Sequence, residues 1–442
     1  MYNPQIETMK RDEMESLQLD RLRNTVGAVY KHVDFYREKF EELGIVPEDI
    51  RSLDDIAKLP FTNKQDFRDH YPFGLFAVPQ EEIVRIHGSS GTSGKPTIVG
   101  YTSDDINVWA EVVARSIVAA GGKRSDTFHN SYGYGLFTGG IGLHYGAEAL
   151  GMAVVPMSGG NTKRQITMIE DLKPRGIGGT PSYMLTIAEK MKEAGINPRQ
   201  SSMEYGIFGA EPWSEELRIK IEETFNLKAV DIYGLSEIMG PGVSVECHEA
   251  QNGLHVQEDH FFVEVINPET LEQVAEGEEG ELVFTSLTKR ALPIIRYRTG
   301  DISSITREIC KCGRTTIRMS RVKGRTDDMM IIRGVNVFPS EIERVLLKVE
   351  SLVPHYQIHL VRADSLDNVE LHVEIDRALY ETIAGDLTDE RVIQLKKEIQ
   401  SLIKSTCLVS MEVILNIPKT IPRSEGKAIR IIDFRNKNVV GV

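Results

Sequence analysis

The feature that most constrains this fold is an alternation of short apolar runs with stretches of helical periodicity, from about residue 84 to about residue 325. Runs such as IVRIHG, GMAVVPM, AVDIYG and GELVFTSL are rich in β-branched residues and have the length of buried strands. Strands that alternate with helices predict a layered α/β domain with several strand-to-helix turns.

Both ends of the chain extend this pattern. Near the N-terminus, apolar residues recur at steps of three and four and predict helix: Leu19, Leu22, Val26, Val29, Val33, Tyr36 and Phe40. Beyond a boundary at 324–328, a helix after Pro339, paired strands over 356–363 and 369–375, a helix over 390–404 and a strand over 411–417 predict a small α+β domain. We therefore predict a domain over residues 1–326 and a second domain over 327–442.

Composition excludes several classes of protein. The net charge of −13 and the lack of Lys/Arg clusters argue against a nucleic-acid binder. No apolar run approaches the roughly 20 residues that span a membrane, and the polar N-terminus lacks an apolar signal core, so we expect a cytoplasmic protein. Four cysteines in 442 residues do not make a disulfide framework, and Cys407, within TCLVSM, is expected in a core.

A glycine-rich loop follows the strand-like IVRIH. Its residues are Ser89, Ser90, Gly91, Thr92, Ser93, Gly94, Lys95, Pro96 and Thr97. Glycines expose backbone N–H groups, hydroxyls add donors and Lys95 adds charge, which together suit a phosphate cradle. The GxxxxGK[ST] spacing of a Walker A motif is absent. A short Gly/Ser stretch by itself is more often a flexible surface loop, so the neighbouring motifs have to decide.

Three other polar turns carry candidate chemistry. Glu237, after AVDIYGLS, could hold Mg²⁺ through a carboxylate oxygen. Asp301, in YRTGD, could accept hydrogen bonds from two ribose hydroxyls, and Lys427, in IPRSEGK, could reach a phosphate or a carboxylate. Each motif also has an ordinary interpretation: a solvated turn glutamate, an aspartate that stabilises its own turn, and an exposed lysine.

A cysteine pair in a C-x-C arrangement suggests a metal site. Together with a third cysteine and a histidine it could form a tetrahedral Zn²⁺ site of Cys₃His type, whose ligands would be Cys247, His255, Cys310 and Cys312. His248 and His260 are alternative ligands, and buried free thiols are the alternative interpretation. Four protein ligands would leave no open position, so such a metal would be structural.

In this order and spacing, the motifs resemble the adenylate-forming superfamily, and most closely its phenylacetate–CoA ligase branch. The resemblance covers almost the whole chain. Its segments include LPFTNKQDFRDHYPFGLFAV, HGSSGTSGKPTIVGYT, YGYGLFTGGIGLHYGAEALG, FGAEPWSEELR, YGLSEIMGPG, LTKRALPIIRYRTGD and GRTDDMMIIRGVNVFPSEIE. It implies a large N-terminal α/β domain, a small C-terminal α+β lid, and a site between the two.

The resemblance also implies roles for individual residues. Ser89 to Lys95 would wrap the β- and γ-phosphates of ATP, and Glu237 would ligate Mg²⁺. Ala210, Glu211 and Tyr233 would frame the adenine, with Gly209 at the same turn, and Gly234 and Ser236 would also contact the cofactor. Asp301 would bind the ribose, Arg325 would lie near the ribose and α-phosphate, Asp327 would be the hinge, and Lys427 would bridge the acyl carboxylate and α-phosphate. Gly334 would line the coenzyme A channel. The acyl pocket would be formed by Tyr132, Tyr134, Phe137, Gly139, Ile238 and Pro241.

The implied reaction has two steps. A carboxylic acid attacks the α-phosphate of ATP to give an acyl-adenylate and pyrophosphate, and coenzyme A then takes the acyl group. The aromatic and glycine content of the pocket suits a flat ring on a short acid, without separating phenylacetate from hydroxylated, indolic or alicyclic acids. The small-molecule acid, ATP and coenzyme A are the expected partners, with no nucleic acid and no membrane. Family members of this length are often homodimers.

Three other functions fit parts of the pattern. The acyl group could pass to a carrier-protein thiol or an amine instead of coenzyme A. The fold could be a non-catalytic nucleotide or acyl-CoA sensor. A kinase-like phosphoryl transferase would also carry phosphate loops, but the kinase motifs are missing.

Overall fold

The computed structural model describes residues 1–89, 96–326, 329–332, 335–363 and 366–435. In this part of the chain the α-helices are α1 Pro4–Glu7, α2 Arg11–His32, α3 Asp34–Leu43, α4 Lys64–Asp69, α5 Ser103–Ala119, α6 Thr138–Leu150, α7 Thr162–Leu172, α8 Pro181–Glu193, α9 Glu215–Phe225, α10 Pro339–Leu346, α11 Arg377–Thr382 and α12 Glu390–Cys407. Short 3₁₀ helices span Pro47–Asp49, Leu53–Lys58, Gln80–Glu82 and Pro198–Gln200.

The strands form several sheets. They are β1 Arg85–Gly88, β2 Ile98–Tyr101, β3 Thr127–Asn130, β4 Ala153–Pro156, β5 Gly176–Gly179, β6 Tyr205–Gly209, β7 Lys228–Leu235, β8 Gly240–Glu246, β9 Leu254–Val256, β10 Phe261–Ile266, β11 Gly280–Ser286, β12 Tyr297–Ser303, β13 Ile305–Thr306, β14 Arg318–Met319, β15 Gly324–Arg325, β16 Met330–Ile332, β17 Val335–Val337, β18 Leu352–Ala363, β19 Leu366–Ile375, β20 Glu412–Asn416 and β21 Ile431–Asp433.

The largest sheet has the strand order β13-β14-β9-β8-β7-β6-β5-β3-β4. Strands β4, β3, β5, β6 and β7 run parallel, and helices connect them, as the alternating pattern predicts. Strands β8, β9, β14 and β13 extend the sheet in antiparallel pairing. The carboxyl ends of the parallel strands lie at one edge of the sheet, and the turns after β6 and β7 belong to this edge. In open α/β sheets, ligands bind at the carboxyl ends of the strands.

A second, antiparallel sheet has the order β10-β11-β12-β15. It brings two distant motifs together, because Asp301 on β12 pairs with Arg325 on β15. The N-terminal helices α2 and α3 pack on the main core with Leu22, Val26, Val29, Tyr36 and Phe40 completely buried. Their predicted helical periodicity is confirmed, with a break at Val33, which adopts an extended backbone.

The C-terminal part has its own sheet, in the order β20-β19-β18-β21, and its own hydrophobic core. The predicted helices correspond to α10 and α12, and the predicted paired strands to β18 and β19. Cys407 is buried in this core, as its apolar neighbours predict. Among the described residues, no helix has both the length and the apolarity needed to cross a membrane.

Candidate active site between the two domains

Two adjoining cavities lie where the two parts of the chain meet. The larger, of about 280 Å³, is lined by Lys64, Ser89, Tyr132, Phe137, Thr138, Gly139, Ala210, Ile232, Gly234, Leu235, Ser236, Glu237, Pro241, Tyr297, Thr299, Arg325 and Lys427. The smaller, of about 100 Å³, is lined by Gly209, Ala210, Glu211, Pro212, Trp213, Asp231, Ile232, Tyr233, Gly234, Leu235, Leu254, Asp301, Val322, Arg325 and Lys427. The two cavities share a wall, which is formed by Ala210, Ile232, Gly234, Leu235, Arg325 and Lys427.

The smaller cavity contains a hydrogen-bonded network centred on Asp301. The Tyr233 hydroxyl donates to Asp301 Oδ2 at 2.7 Å, and Arg325 Nη1 lies 3.2 Å from Oδ1. Burial raises the pKa of Asp301 above its ordinary value, while Arg325, the Tyr233 hydrogen bond and Lys427 act to lower that pKa. A carboxylate has about four lone-pair sites, so Asp301 can still accept hydrogen bonds from a bound diol.

The turn after β6 is held in an unusual conformation. Ala210 has a φ of 68°, a left-handed value that is uncommon for a residue with a side chain. A Cβ on Gly209 would lie 2.2 Å from the Ile232 carbonyl oxygen, so glycine is required where β6 approaches β7. Strain of this kind concentrates at ligand sites. This turn forms a wall of both cavities.

Glu211, next in the chain, connects the two parts of the molecule. Its Oε1 accepts a hydrogen bond from Ser182 N at 2.8 Å, at the start of α8. Its Oε2 accepts one from Ala428 N at 2.9 Å, on the C-terminal loop. One carboxylate on the turn after β6 therefore holds both the start of α8 and the residue next to Lys427.

The loop that carries Lys427 is hydrogen-bonded to helix α8 and to Thr180, the residue that precedes this helix. Thr180 Oγ1 and Ser182 Oγ donate to the Gly426 carbonyl at 2.7 and 3.1 Å. Thr186 Oγ1 donates to the Ser424 carbonyl at 2.9 Å. These contacts run through the backbone of the loop, so they fix its path and leave the Lys427 side chain to face the cavities.

An ion-pair cluster clamps the same loop farther out. Arg423 makes paired hydrogen bonds to Glu189 on α8, at 2.8 and 3.1 Å, and to Glu374 on β19, at 2.8 and 2.9 Å. Burial acts to raise the pKa of Glu189, but His355 and Arg423 outweigh it and hold that pKa below its ordinary value. Bidentate pairs of this kind fix geometry as well as charge.

Four of the six residues expected in an acyl pocket line the larger cavity: Tyr132, Phe137, Gly139 and Pro241. Tyr134 and Ile238 are not among the residues that line this cavity, and their place in an acyl pocket stays a prediction. The Tyr134 hydroxyl is held by Asn130 Nδ2 at 2.8 Å and lies 3.2 Å from His144 Nδ1. Ile238 is completely buried in the main hydrophobic core.

Part of the expected phosphate loop, the expected hinge Asp327 and the expected channel residue Gly334 lie outside the described residues. The loop residues concerned are Ser90, Gly91, Thr92, Ser93, Gly94 and Lys95. The base of the loop is described, and there Ser89 N donates to the Thr97 carbonyl at 3.0 Å. Glu237 is 6% exposed and lines the larger cavity, so an oxygen ligand of the kind Mg²⁺ prefers is available there.

Several residues of the site were missed from the sequence. Lys64, Thr138, Tyr297 and Thr299 line the larger cavity, and the hydroxyls of Thr138 and Ser236 share a hydrogen bond at 3.0 Å. Tyr297 and Thr299 flank Asp301 in the YRTGD motif, and this position was a usable signal. Lys64 and Thr138 gave none, because a single lysine or threonine beside a helix start is common.

The four cysteine and histidine residues proposed as metal ligands come together away from this site. Cys247, His255, Cys310 and Cys312 form one cluster, whereas His248 and His260 lie outside it. His248 Nδ1 lies 2.9 Å from the Ala119 carbonyl, and His260 Nδ1 lies 2.8 Å from Thr288 Oγ1.

Comparisons with known proteins agree with this architecture. The family model of the AMP-binding enzyme matches residues 24–288, and that of the AMP-binding enzyme C-terminal domain matches residues 334–435. A phenylacetate-coenzyme A ligase of Thermus thermophilus is 51% identical over 443 residues, covering 98% of this chain and 100% of that one. The chain belongs to the phenylacetate–CoA ligase family. A second family member, from Escherichia coli, is 50% identical over 432 residues, covering 98% and 97% of the two chains.

Solved structures show which arrangement of the domains the chain adopts. A 2-hydroxyisobutyryl-CoA ligase in its postadenylation state with 2-HIB-AMP superposes with a TM-score of 0.91 at 30% identity, covering 98% of this chain and 92% of that one. The same enzyme in its thioesterification state, with 2-HIB-AMP and CoA, gives 0.72 at the same identity and coverage. The domain arrangement described here therefore resembles the first of these states.

As a member of the phenylacetate–CoA ligase family, the chain is an AMP-forming acid–CoA ligase that works through an acyl-adenylate. The expected fold, a large N-terminal α/β domain with a smaller C-terminal domain, is confirmed. ATP and coenzyme A are the substrates that accompany the acid.

Proposed function

We propose that the acid is phenylacetate or a related arylacetic acid, and that Lys427 promotes its adenylation. The observation that carries the proposal is the position of Lys427 in the wall of both cavities. The smaller cavity contains the Asp301 network, and the larger one contains Glu237 and the aromatic side chains. A cation at this junction would lie between a nucleotide and an acid.

The first step brings two anions together, so the protein must neutralise charge and align the reacting atoms. In the proposed assignment, Asp301 accepts the ribose hydroxyls while Arg325 and Lys427 face the α-phosphate. Tyr233 and the turn from Gly209 to Glu211 frame the adenine. Mg²⁺ at Glu237 would neutralise charge on the phosphates. Ser89 to Lys95 are proposed to wrap the β- and γ-phosphates.

Two observations support an arylacetic acid as the substrate. The named relatives are phenylacetate-coenzyme A ligases. Tyr132, Phe137, Gly139 and Pro241 give the larger cavity a wall with two aromatic rings and a glycine, which suits a flat ring better than an aliphatic chain. The solved 2-hydroxyisobutyryl-CoA ligase has the same fold and is named for a small aliphatic acyl group, so the acid depends on these wall residues and not on the fold.

In the second step the coenzyme A thiolate attacks the acyl carbonyl of the adenylate, so that a thioester forms, the acyl–oxygen bond breaks and AMP leaves. We propose that residues 327–442 turn as a lid on the domain formed by residues 1–326, with Asp327 as the hinge and Gly334 beside the thiol channel. The turn would remove Lys427 from the site. A location in the cytoplasm and assembly as a homodimer stay predictions from the sequence and the family resemblance.

The identity of the acid is tested by pyrophosphate exchange with arylacetic, benzoic and short aliphatic acids, followed by acyl-CoA formation with coenzyme A. We expect phenylacetate or a ring-substituted arylacetate to give the highest kcat/KM in both assays. Exchange without coenzyme A-dependent release of AMP would indicate a carrier protein or an amine as acceptor. Exchange that is highest with an aliphatic acid would contradict the aromatic pocket.

Lys427→Ala separates the two half-reactions. We expect adenylate formation to fall by about 10²–10³, the usual loss when one preorganised charge is removed. Thioester formation from a supplied acyl-adenylate should stay close to the wild-type rate, because Lys427 acts before that step. Lys419→Ala, on the same segment but outside both cavities, is the matched control. Equal losses in both half-reactions would refute the role of Lys427.

A further inference from the structure

We propose that Cys247, His255, Cys310 and Cys312 form a structural Zn²⁺ site in the N-terminal domain. One ligand atom from each residue lies within 4.8 Å of the others, and Cys247, His255 and Cys310 are buried. Three separate segments supply these atoms. Cys247 follows β8, His255 lies on the paired strand β9, and the two remaining cysteines lie on the loop between β13 and β14.

Two of the six distances between the ligand atoms match the edges of a tetrahedral site, and all six are within 4.8 Å. A tetrahedron with Zn–S bonds of about 2.3 Å has sulfur–sulfur edges of about 3.8 Å. With a Zn–N bond of about 2.0–2.1 Å, its sulfur–nitrogen edges are about 3.5 Å. In the structure, Cys247 Sγ lies 3.7 Å from Cys310 Sγ, and Cys312 Sγ lies 3.5 Å from His255 Nε2. A disulfide would need the two sulfurs at about 2.0 Å, so the observed spacing fits a shared ion better than a bond.

The surroundings fix the histidine for this role. His255 Nδ1 lies 3.3 Å from Thr316 Oγ1, so the imidazole is held with its Nε2 towards the sulfurs. Metal-binding histidines commonly have a hydrogen-bond partner on the other ring nitrogen. Three sulfurs and an imidazole favour zinc over calcium or magnesium, which prefer oxygen.

The position of the site indicates what the ion would stabilise. The loop that carries Cys310 and Cys312 continues into residues that hold the N-terminal segment. Arg314 Nε donates to Glu7 Oε2 at 2.6 Å, and Thr315 Oγ1 donates to the Met9 carbonyl at 2.7 Å. Zinc would therefore tie the edge of the large sheet to this loop and, through it, to the start of the chain. The ion has no place in the chemistry, because four protein ligands fill its coordination sphere.

The test is metal analysis of the full-length protein, purified without chelators or metal-affinity resin from zinc-supplemented medium. We expect one zinc per chain in the wild type and in Cys407→Ser, whose thiol lies in the C-terminal core. We expect zinc to be lost in Cys312→Ser. Hydrogen exchange should then rise at residues 1–10 and 307–317 and stay unchanged in the C-terminal domain. Pyrophosphate exchange is a separate readout, so failure of the zinc site does not bear on the ligase assignment.

Three results would overturn the proposal. The first is wild-type protein without zinc in which four thiols titrate. The second is a thiol titration under non-reducing conditions that finds two thiols fewer than the four cysteines of the sequence, which indicates a disulfide. The third is full zinc content in Cys312→Ser. If Cys312→Ser does not fold, Co²⁺ is exchanged into the wild type instead. Thiolate-to-cobalt absorption with the bands of a tetrahedral ion is expected, and an octahedral spectrum would count against the site.

Discussion

Lys289 is a buried cation close to the candidate active site. The side chain is 3% exposed, its ammonium lies 4.4 Å from the centre of the Tyr101 ring, and it has no hydrogen-bond partner among the described residues. Burial lowers the pKa of Lys289 to about 8, although the charges of Asp105 and Glu237 act to raise it. Lys289 is therefore a charge near the site that the folded state accommodates at a cost in stability.

Lys289→Met should raise the melting temperature at pH 7. The folded pKa of about 8 lies below the ordinary value of 10.5, so the unfolded state binds more protons between these pH values, and wild-type stability rises across that range. The shift corresponds to at most about 3 kcal/mol at pH 7, part of which is offset by the lost attraction to Tyr101. The advantage of the variant should shrink from pH 8 towards pH 10.5.

Differential scanning calorimetry over this pH range checks the result. Lys123→Met, at an exposed position in the same domain, is the control and should change stability by less than about 0.5 kcal/mol. A variant that melts below the wild type at every pH would show that Lys289 has a stabilising partner.

The segment that joins β3 to α6 shapes the proposed acyl pocket. Phe137 precedes α6, and Gly139 lies in its first turn. A Cβ on Gly139 would lie 2.3 Å from Cε1 of Phe137, so this ring rests directly on the glycine. The position of the Phe137 ring, and with it the shape of the larger cavity, depends on residue 139 being a glycine, which has no side chain.

Gly139→Ala should push the Phe137 ring from its place. If the cavity binds an arylacetic acid, we expect KM for that acid to rise roughly tenfold, within the range that a single methyl group causes in an apolar pocket. KM for ATP should change little. Gly133→Ala, in the same segment, is the matched control, because a Cβ there would contact nothing within 4 Å. Steady-state kinetics with unchanged KM for the acid would contradict the pocket assignment.

The sequence predicts the helices and strands better than it predicts the directions of their side chains. The helices α2 and α12 and the strands β7 and β11 follow from periodicity and β-branched runs, which are local signals. The direction of a side chain is not a local signal: Ile238 is completely buried and the Tyr134 hydroxyl accepts a hydrogen bond from Asn130, and the sequence indicated neither environment.

The contacts between domains were beyond the sequence for a similar reason. Arg423 and Glu189 are separated by 234 residues, and nothing near either residue indicates its partner. Lys427 could be assigned only through the family resemblance, since an isolated lysine carries no signal of its own. The cysteine cluster was predictable in part. The residue types indicate possible metal ligands, but only the fold shows which of the cysteines and histidines lie close together.

At the scale of the whole molecule, the C-terminal domain is docked with its lysine in the site. Contacts between the domains extend beyond the site to Lys419 Nζ, which lies 2.7 Å from Glu193 Oε1 on the surface. The solved relative adopts a second arrangement with CoA bound, and the lower TM-score of 0.72 shows that this chain is not in it. If this chain uses both arrangements, one for each half-reaction, the docked contacts must break once per turnover.

Cross-linking the docked arrangement should separate the half-reactions. In Glu193→Cys/Lys419→Cys, a short bismaleimide would join the domains at a position outside the cavities. We expect the cross-linked protein to retain pyrophosphate exchange and to lose acyl-CoA formation by roughly tenfold or more, because the lid cannot turn. Lys190→Cys/Glu193→Cys, which joins two positions of α8, is the matched control and should retain both activities.

Assays of both half-reactions before and after the reagent give the comparison, with the single variants treated in the same way. Full acyl-CoA formation by the cross-linked protein would mean that coenzyme A reacts without the lid turning.

The carboxylate of Glu211 connects the two domains. It receives Ser182 N from one domain and Ala428 N from the other, and the adjacent Ala210 lines the cavity proposed for the nucleotide. If a nucleotide binds more tightly with this turn and the lid in place, the docked lid must gain the same free energy from the nucleotide, because the coupling is reciprocal. When the lid leaves, the affinity for AMP would then fall by the same factor. One carboxylate would in this way connect the release of a product to the movement of an entire domain.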